Sequence, residues 1–272
     1  MSLLQKASKP TGYDAPLLTI VASGGVGKTT MAGLFKNTLI VALEDGATVF
    51  EDWEEDVKPT ILDLSSSKDI QTDLKNLIVE LGTTEHNFKT IVYDTVTTLN
   101  LMYEEKICKD YDVKTVGEAS GGYHKGYDEV ASWHRKFLEW SRYLADNKGI
   151  PSIFLAHSDI IRMKNSPDES SEYAVYGIGM HKKSSVLYKN FSDGVYYLTK
   201  EKFILGAEVN KKTGATTKFG RATESGNRVL ITSGDGRTGY IDAKDRYSLE
   251  PEIAVPHGTN PLLTQIKFFN QA

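Results

Sequence analysis

The sequence is poor in the features of secreted, membrane-spanning and strongly basic proteins. Its 272 residues include a single cysteine, Cys108, which excludes an internal disulfide and a cysteine-based zinc cage. No apolar run approaches the roughly 18 residues of a membrane-spanning helix, and the first residues form no signal peptide. The formal net charge of −4 gives nucleic-acid binding no support. We therefore expect a cytoplasmic protein without a membrane segment.

The pattern of apolar residues indicates an α/β fold. Apolar runs that do not alternate with polar residues suit parallel strands buried on both faces. Such runs occupy residues 17–23, 37–44, 89–95 and 151–157. Helical spacing occurs between them, at residues 28–35, 67–81 and 126–147. This alternation predicts a mainly parallel central sheet flanked by helices.

The remaining segments predict loops, edge strands and a tail. Two polar or glycine-rich gaps, 116–124 and 159–180, are predicted to be loops. Alternating segments at 193–200, 202–210 and 227–233 predict antiparallel strands at the C-terminal edge of the sheet. We expect an N-terminal segment (1–16), one domain (17–250) and a C-terminal tail (251–272) with a short helix over 262–269.

A glycine-rich segment after the first strand matches the phosphate-loop pattern G-x-x-x-x-G-K-[ST], with Ala22 at its first position. Glycines let backbone N–H groups turn towards a phosphate, Lys28 can reach the β- and γ-phosphates, and the Thr29 hydroxyl can join a magnesium shell. The alternative is a chance glycine-rich turn. The segment predicts binding of ATP and Mg²⁺ by Ser23, Gly24, Gly25, Val26, Gly27, Lys28, Thr29 and Thr30.

Two acidic residues follow predicted strands. Asp94 ends the run TIVYD, where ligands bind in open α/β sheets, and is predicted to hold magnesium with Thr29; it could instead cap the next helix. Glu44 is predicted to orient or deprotonate the attacking water, because we expect its strand to end beside the P-loop strand. Asp45 is the alternative, unless both residues only begin a solvated loop.

The order of these motifs resembles the RecA superfamily, and within it the phage RecA-like ATPases that accompany single-strand annealing proteins. Leu43-Glu44-Asp45-Gly46 matches the strand end with the catalytic glutamate, and Val92-Tyr93-Asp94-Thr95 matches the hydrophobic-Asp-Ser/Thr motif. Phe154-Leu155-Ala156-His157 matches the strand that ends in a γ-phosphate sensor, so the resemblance assigns that role to His157. The alternative is a histidine at a strand end that bonds a neighbouring loop.

The same resemblance implies an oligomer and a DNA ligand. Lys244 and Arg246 resemble a basic pair that reaches the nucleotide of the next subunit, which implies a ring or filament with nucleotide at its interfaces. The long gaps resemble loops that face single-stranded DNA, with contacts from Arg162, Lys164, Lys182 and Lys183. A single-strand annealing or single-strand-binding protein is the implied partner, in the cytoplasm of a bacterial host if the chain is phage-encoded.

Two other function classes remain open, as does the site of the base. Partition and cell-division-site ATPases share the glycines of this loop but have lysine where this chain has Ser23. An ATP-binding loader or scaffold would not need Glu44 or the Lys244 and Arg246 pair. Phe50 or Trp53 would stack on the adenine, unless both belong to the core.

Overall fold

The computed structural model describes residues 14–163, 173–205, 208–209, 216–218, 221–233 and 243–271. Its strands are β1 (Leu17–Ala22), β2 (Thr38–Ala42), β3 (Thr60–Asp63), β4 (Thr90–Asp94), β5 (Ser152–Met163), β6 (Tyr173–Ile178), β7 (Gly194–Leu205), β8 (Glu208–Val209), β9 (Thr216–Lys218), β10 (Arg221–Ile231), β11 (Lys244–Asp245) and β12 (Glu252–Ala254). Its helices are α1 (Lys28–Gly33), α2 (Ile70–Thr83), α3 (Val96–Asp110), α4 (Gly126–Lys148), α5 (Lys182–Phe191) and α6 (Leu262–Gln265). None of the helices in these ranges has both the length and the apolarity to cross a membrane.

The main sheet runs in the order β12-β10-β7-β1-β5-β4-β2-β3. From β7 to β3 every neighbouring pair is parallel. The strands β10, β11 and β12 add antiparallel pairs on the other side, and β6 pairs antiparallel with the end of β5. The predicted fold class is confirmed: a mainly parallel sheet, flanking helices and antiparallel strands from the C-terminal part of the chain.

The core strands carry apolar residues without alternation because both faces of the sheet are covered. Leu17 and Val21 of β1 join a cluster with residues of α2, α3, α4 and α5. Leu18 and Ile20 point to the opposite face and pack with residues of α1 and α6. Every residue of β1 is buried. The sheet therefore forms the middle layer of three, and its carboxyl edge is left open between the helix layers.

The chain after Pro251 packs on the α1 face of the sheet. β12 pairs with β10, and Val255, Leu262 and Ile266 are at most 1% exposed. The Asn260 side-chain amide also donates a hydrogen bond to the Met31 carbonyl of α1, at 3.1 Å. The segment predicted as a tail thus covers apolar surface of the same core that supports the P-loop helix.

Several predicted strand boundaries are wrong, because pairing between strands sets these boundaries and a single apolar run does not reveal the pairing. Half of the predicted gap at 159–180 is strand, because β5 continues to Met163 and pairs with β6 in a hairpin. Ile160 in this extension is 59% exposed, so the segment lacks the apolar run of a core strand. The segment predicted at 193–200 and the first part of the one predicted at 202–210 are joined in β7, which is parallel to β1 and antiparallel to β10, and Glu208–Val209 form β8. The edge strand β3 and the helix α5 were not predicted.

Candidate functional site

The predicted P-loop, residues 22–29, connects the carboxyl end of β1 to α1. Gly25 and Gly27 have φ angles of 74° and 98°, a left-handed conformation that side chains strain. A Cβ at Gly24 or Gly25 would meet no atom within 4 Å, so the loop borders open space. The Ser23 and Ser158 hydroxyls lie 3.1 Å apart and connect the loop to β5. These positions give the loop an open, concave backbone.

The Lys28 ammonium group lies under this loop and has no carboxylate ion-pair partner among the described residues. The side chain is buried, and its Nζ lies 3.4 Å from the carbonyl oxygens of Ala22 and Ser23 and 3.3 Å from Nδ1 of His157. Burial lowers the pKa of Lys28, against the opposing effect of the nearby Asp94 and Glu44 carboxylates. A buried cation with only long neutral contacts is suited to an anionic ligand.

Asp94 ends β4 and faces the first turn of α1. Its Oδ2 accepts a 2.5 Å hydrogen bond from the Thr29 hydroxyl, whereas its Oδ1 is buried without a hydrogen-bond partner. Burial raises the pKa of Asp94, and the bond from Thr29 opposes this shift. The alternative role as a helix cap is wrong, because the Thr95 side chain accepts the bond from the Thr98 amide at the start of α3.

The Asp94 and Thr29 pair fits a magnesium ion that also binds phosphate. An orphaned carboxylate oxygen beside a threonine hydroxyl is a hard oxygen donor set, and Mg²⁺ often takes only one or two protein ligands. No cluster of three or more His, Cys, Asp or Glu side chains able to hold a metal occurs in the described part of the chain. The site therefore offers part of a magnesium shell rather than a complete metal cage.

Glu44 lies just beyond β2, and three side chains donate hydrogen bonds to its carboxylate. Oε2 accepts from Thr98 at 2.5 Å and from Thr95 at 3.1 Å, and Oε1 accepts from Nε2 of His157 at 3.1 Å. Partial burial acts to raise the pKa of Glu44, but the bonds from His157, Thr98 and Thr95 outweigh it and lower the pKa to about 2. Glu44 is therefore ionised at neutral pH. The alternative Asp45 is exposed.

The reason given for choosing Glu44 is wrong, although the structure places Glu44 in the site. Its strand β2 does not end beside β1, because β5 and β4 lie between them. Glu44 approaches Lys28 through His157 instead. Sequence reasoning missed Thr98 as a partner of Glu44; the signal was the run Asp94-Thr95-Val96-Thr97-Thr98, whose hydroxyl residues open α3 beside the acidic strand ends.

His157 connects Lys28 to Glu44. Its Nδ1 lies 3.3 Å from the Lys28 ammonium group, which can only donate, so Nδ1 is the acceptor. The proton of a neutral imidazole is then on Nε2, which donates to Glu44 at 3.1 Å. The backbone N–H of His157 donates to the Thr97 hydroxyl at 3.2 Å. The histidine thus has a defined tautomer as well as a defined position.

His157 does not end its strand, contrary to prediction. It is the last residue of β5 that pairs with β1, opposite Ala22, and the next residue, Ser158, begins the pairing with β6. β5 therefore changes partner at the site. The hairpin of β5 and β6 is a direct continuation of the strand that carries His157.

Lys244 and Arg246 lie at the opposite edge of the sheet from the P-loop. β11 pairs with Gly194 and Val195, at the amino end of β7. Lys244 Nζ donates to main-chain carbonyls at the end of α5, at 2.6 Å to Ser192 and 2.9 Å to Lys189. Arg246 pairs with Asp193 at 2.8 Å. Neither residue belongs to the site of its own chain, and their action on a neighbouring chain stays a prediction.

The residues predicted to contact DNA lie on and beside the β5–β6 hairpin. Arg162 is exposed on β5, and Lys182 is exposed in the first turn of α5. Lys183, in the same turn, forms a 2.6 Å ion pair with Asp128 of α4. Lys164 lies outside the described residues. None of the described pockets is lined by these cations.

Phe50 and Trp53 pack in the core layer near α1. Phe50 is 2% exposed, lies against Gly33, and makes an edge contact with Trp53 at 5.0 Å between ring centroids. Of the two alternatives for these aromatic residues, the structure favours the core for Phe50. Trp53 is partly buried, and its contact with the adenine stays a prediction.

Comparison with known proteins gives the family. A family model described as an AAA domain matches residues 15–247. The crystal structure of the RadB recombinase is similar, with 16% identical residues, coverage of 89% of this chain and 87% of that one, and a TM-score of 0.47. No curated protein sequence matches the chain. Because the match spans most of its length, the protein belongs to the AAA domain family.

Proposed function

We propose that this protein is a magnesium-dependent ATPase that converts ATP to ADP and phosphate. The observation that carries the proposal is the continuous chain of contacts from Lys28 through His157 to Glu44, beside the Asp94 and Thr29 pair. All these groups lie at the carboxyl edge of the parallel strands, where α/β sheets bind ligands. A cation, an ionised carboxylate and hard oxygen donors are the groups that phosphoryl transfer to water needs.

Each side chain has a role that its environment supports. The P-loop backbone and Lys28 bind the phosphates, and Lys28 neutralises charge that develops on them. Magnesium, held by Thr29 and Asp94, would supply further charge neutralisation at the phosphate oxygens. With a pKa of about 2, Glu44 acts chiefly as a hydrogen-bond acceptor that orients the attacking water. His157 fixes the direction of the Glu44 carboxylate and senses the phosphate through Lys28.

The proposal extends to single-stranded DNA as the ligand that stimulates turnover, and to recombination, repair or replication as the process. It rests on the resemblance to RecA-like phage ATPases. The hairpin that carries the exposed Arg162 begins one residue after His157, which gives a bound strand a short route to the site. We further propose a homo-oligomer with nucleotide at its interfaces, assisted by Lys244 and Arg246, and a partner that binds or anneals single strands.

The test is an ATPase assay of the purified protein with single-stranded DNA, with duplex DNA and without DNA. We expect turnover that needs Mg²⁺, rises with single-stranded DNA, and is lost in Lys28→Ala. The control Lys75→Ala removes an exposed lysine of α2 and should behave as wild type. Turnover stimulated by duplex DNA alone would favour a partition-type switch, and no turnover in any condition would favour a scaffold; either result would overturn the proposal.

A further inference from the structure

The predicted catalytic residues lie on one side of the P-loop, and the other side remains for the rest of the nucleotide. His157, Asp94 and Glu44 come from β5, β4 and the end of β2, which all lie on the same side of β1. If the proposed function holds, the terminal phosphate of ATP faces these residues. The α-phosphate and the nucleoside then extend across the P-loop towards β7, β10 and β12, on the other side of β1.

An arginine from β10 lies against the P-loop on that side. A Cβ built on Gly27 would lie 2.6 Å from Nη1 of Arg228, so the guanidinium group lies against the loop at Gly27, whose φ of 98° favours glycine. Its Nη2 donates to the Pro256 carbonyl at 3.1 Å. Within the described ranges no carboxylate pairs with Arg228, which leaves its charge uncompensated beside a phosphate loop.

Pairing in the sheet fixes the position of Arg228. Arg228 is opposite Lys200 in the register of β10 with β7, and Val229 and Leu230 follow opposite Thr199 and Leu198. The Val255 amide donates to the Arg228 carbonyl at 2.8 Å. The register with β7 and this bond to Val255 fix the point from which the Arg228 side chain extends.

A groove of about 460 Å³ opens next to this guanidinium group. It is lined by Glu201, by the turn at residues 226–229 and by residues 254–257. The Glu201 carboxylate already accepts from Ser225 at 2.7 Å and from Asn227 at 3.2 Å. Apart from Glu201, Arg228 and His257, the groove is lined by backbone, amide and aliphatic groups, which suit an uncharged ribose and base.

We infer that Arg228 binds the α-phosphate of the nucleotide and that the adjoining groove receives its nucleoside. The inference deepens the proposed function and depends on it. Phe50 is buried in the core, so Trp53, which is partly buried, is the competing candidate for the base.

The first test measures the affinity for Mg-ATP and ADP by isothermal titration calorimetry. Since hydrogen bonds to charged groups are strong, Arg228→Ala should weaken both nucleotides about 10- to 100-fold. Arg228→Lys keeps the charge and should recover part of the loss. Arg135→Ala, an exposed arginine on α4, is the control with the same change of charge and should bind as wild type.

Thermal unfolding without nucleotide separates binding from folding, because Arg228 also bonds Pro256. A lower melting temperature with unchanged affinity would make Arg228 a structural residue and overturn the inference. If wild type and Arg135→Ala bind nucleotide and Arg228→Ala binds equally well, the inference fails and the proposed function stands. If wild type binds neither ATP nor ADP, the proposed function fails as well.

The second test locates the base by photolabelling with 8-azido-ADP and mass spectrometry of the peptides. Label within residues 226–229 or 254–257, displaced by unlabelled ADP, is the expected result. Displaceable label confined to the peptide that contains Phe50 and Trp53 would place the base on the other side of the P-loop and overturn the assignment of the groove.

Discussion

Replacing Thr98 by valine tests whether the hydroxyl groups at the start of α3 orient Glu44 for catalysis. Thr98 donates the shortest of the hydrogen bonds to the Glu44 carboxylate, at 2.5 Å. Valine has nearly the same shape, so the change removes the donor and little else. The backbone N–H of residue 98 can still donate to Thr95 and cap the helix, as it does in the native chain.

The expected loss of activity follows from the number and type of hydrogen-bond donors to Glu44. A hydrogen bond to a charged group contributes about 1.5–3 kcal/mol, and about 1.4 kcal/mol in the barrier is a tenfold change in rate. Thr95 and His157 still donate to Glu44 in the variant, so the loss should fall near the lower limit. We expect kcat for ATP hydrolysis to fall about tenfold. KM should change little, because Glu44 acts on water and not on ATP.

Steady-state kinetics of Thr98→Val and Thr98→Ser provide the measurement. Serine retains the hydroxyl and should retain most of kcat, which separates the loss of the donor from a change in packing. The affinity for ADP should be the same in all three proteins. The reasoning is refuted if Thr98→Val turns over as wild type, or if serine loses as much activity as valine.

Two further predictions concern stability and assembly. Burial lowers the pKa of His134 to about 3, against about 6.5 in an unfolded chain, so the unfolded state binds an extra proton between these pH values. Lowering the pH from about 7.5 to about 5.5 should therefore lower the free energy of unfolding by about 1.4 kcal/mol through this residue. In urea titrations at the two pH values, His134→Gln should lose about 1.4 kcal/mol less than wild type. Equal pH dependence in both proteins would contradict the lowered pKa of His134. Mixing Lys28→Ala with Arg246→Ala subunits should restore ATPase activity in mixed assemblies, and no recovery from two variants that still assemble would rule out action between subunits.

The sequence was most informative where one residue type has one physical role. The loop between β1 and α1 could be located from the spacing of its glycines and Lys28, because few other residues allow that backbone and that charge; its binding of phosphate stays a prediction. The four core strands could be found because burial on both faces removes polar residues from them. By contrast, β3 is short and partly exposed, with no buried residue, so it leaves no apolar run to detect.

Contacts between strands that are far apart in the chain could not be predicted from such local patterns. Glu44 was selected on a wrong strand order, since no local pattern tells which strand lies next to β1. Arg228 carries no motif at all and lies 201 positions after Gly27, which it contacts only because β10 pairs with β7 in one register. Thr98 has a visible signal in the run of hydroxyl residues, but its acceptor Glu44 is 54 residues away.

Under the proposed function, the insertion of β5 between β1 and β4 gives one histidine a position from which to report on a phosphate. It puts His157 between Lys28 and Glu44, with Nδ1 accepting from the cation and Nε2–H donating to the carboxylate. Under the proposed function, a phosphate that takes the Lys28 ammonium group leaves Nδ1 without its donor. The imidazole then loses one of its two polar contacts, and a movement of the ring changes its bond to Glu44. The state of the phosphate would thus reach the water-orienting carboxylate through a single side chain, on the strand that continues directly into the β5–β6 hairpin.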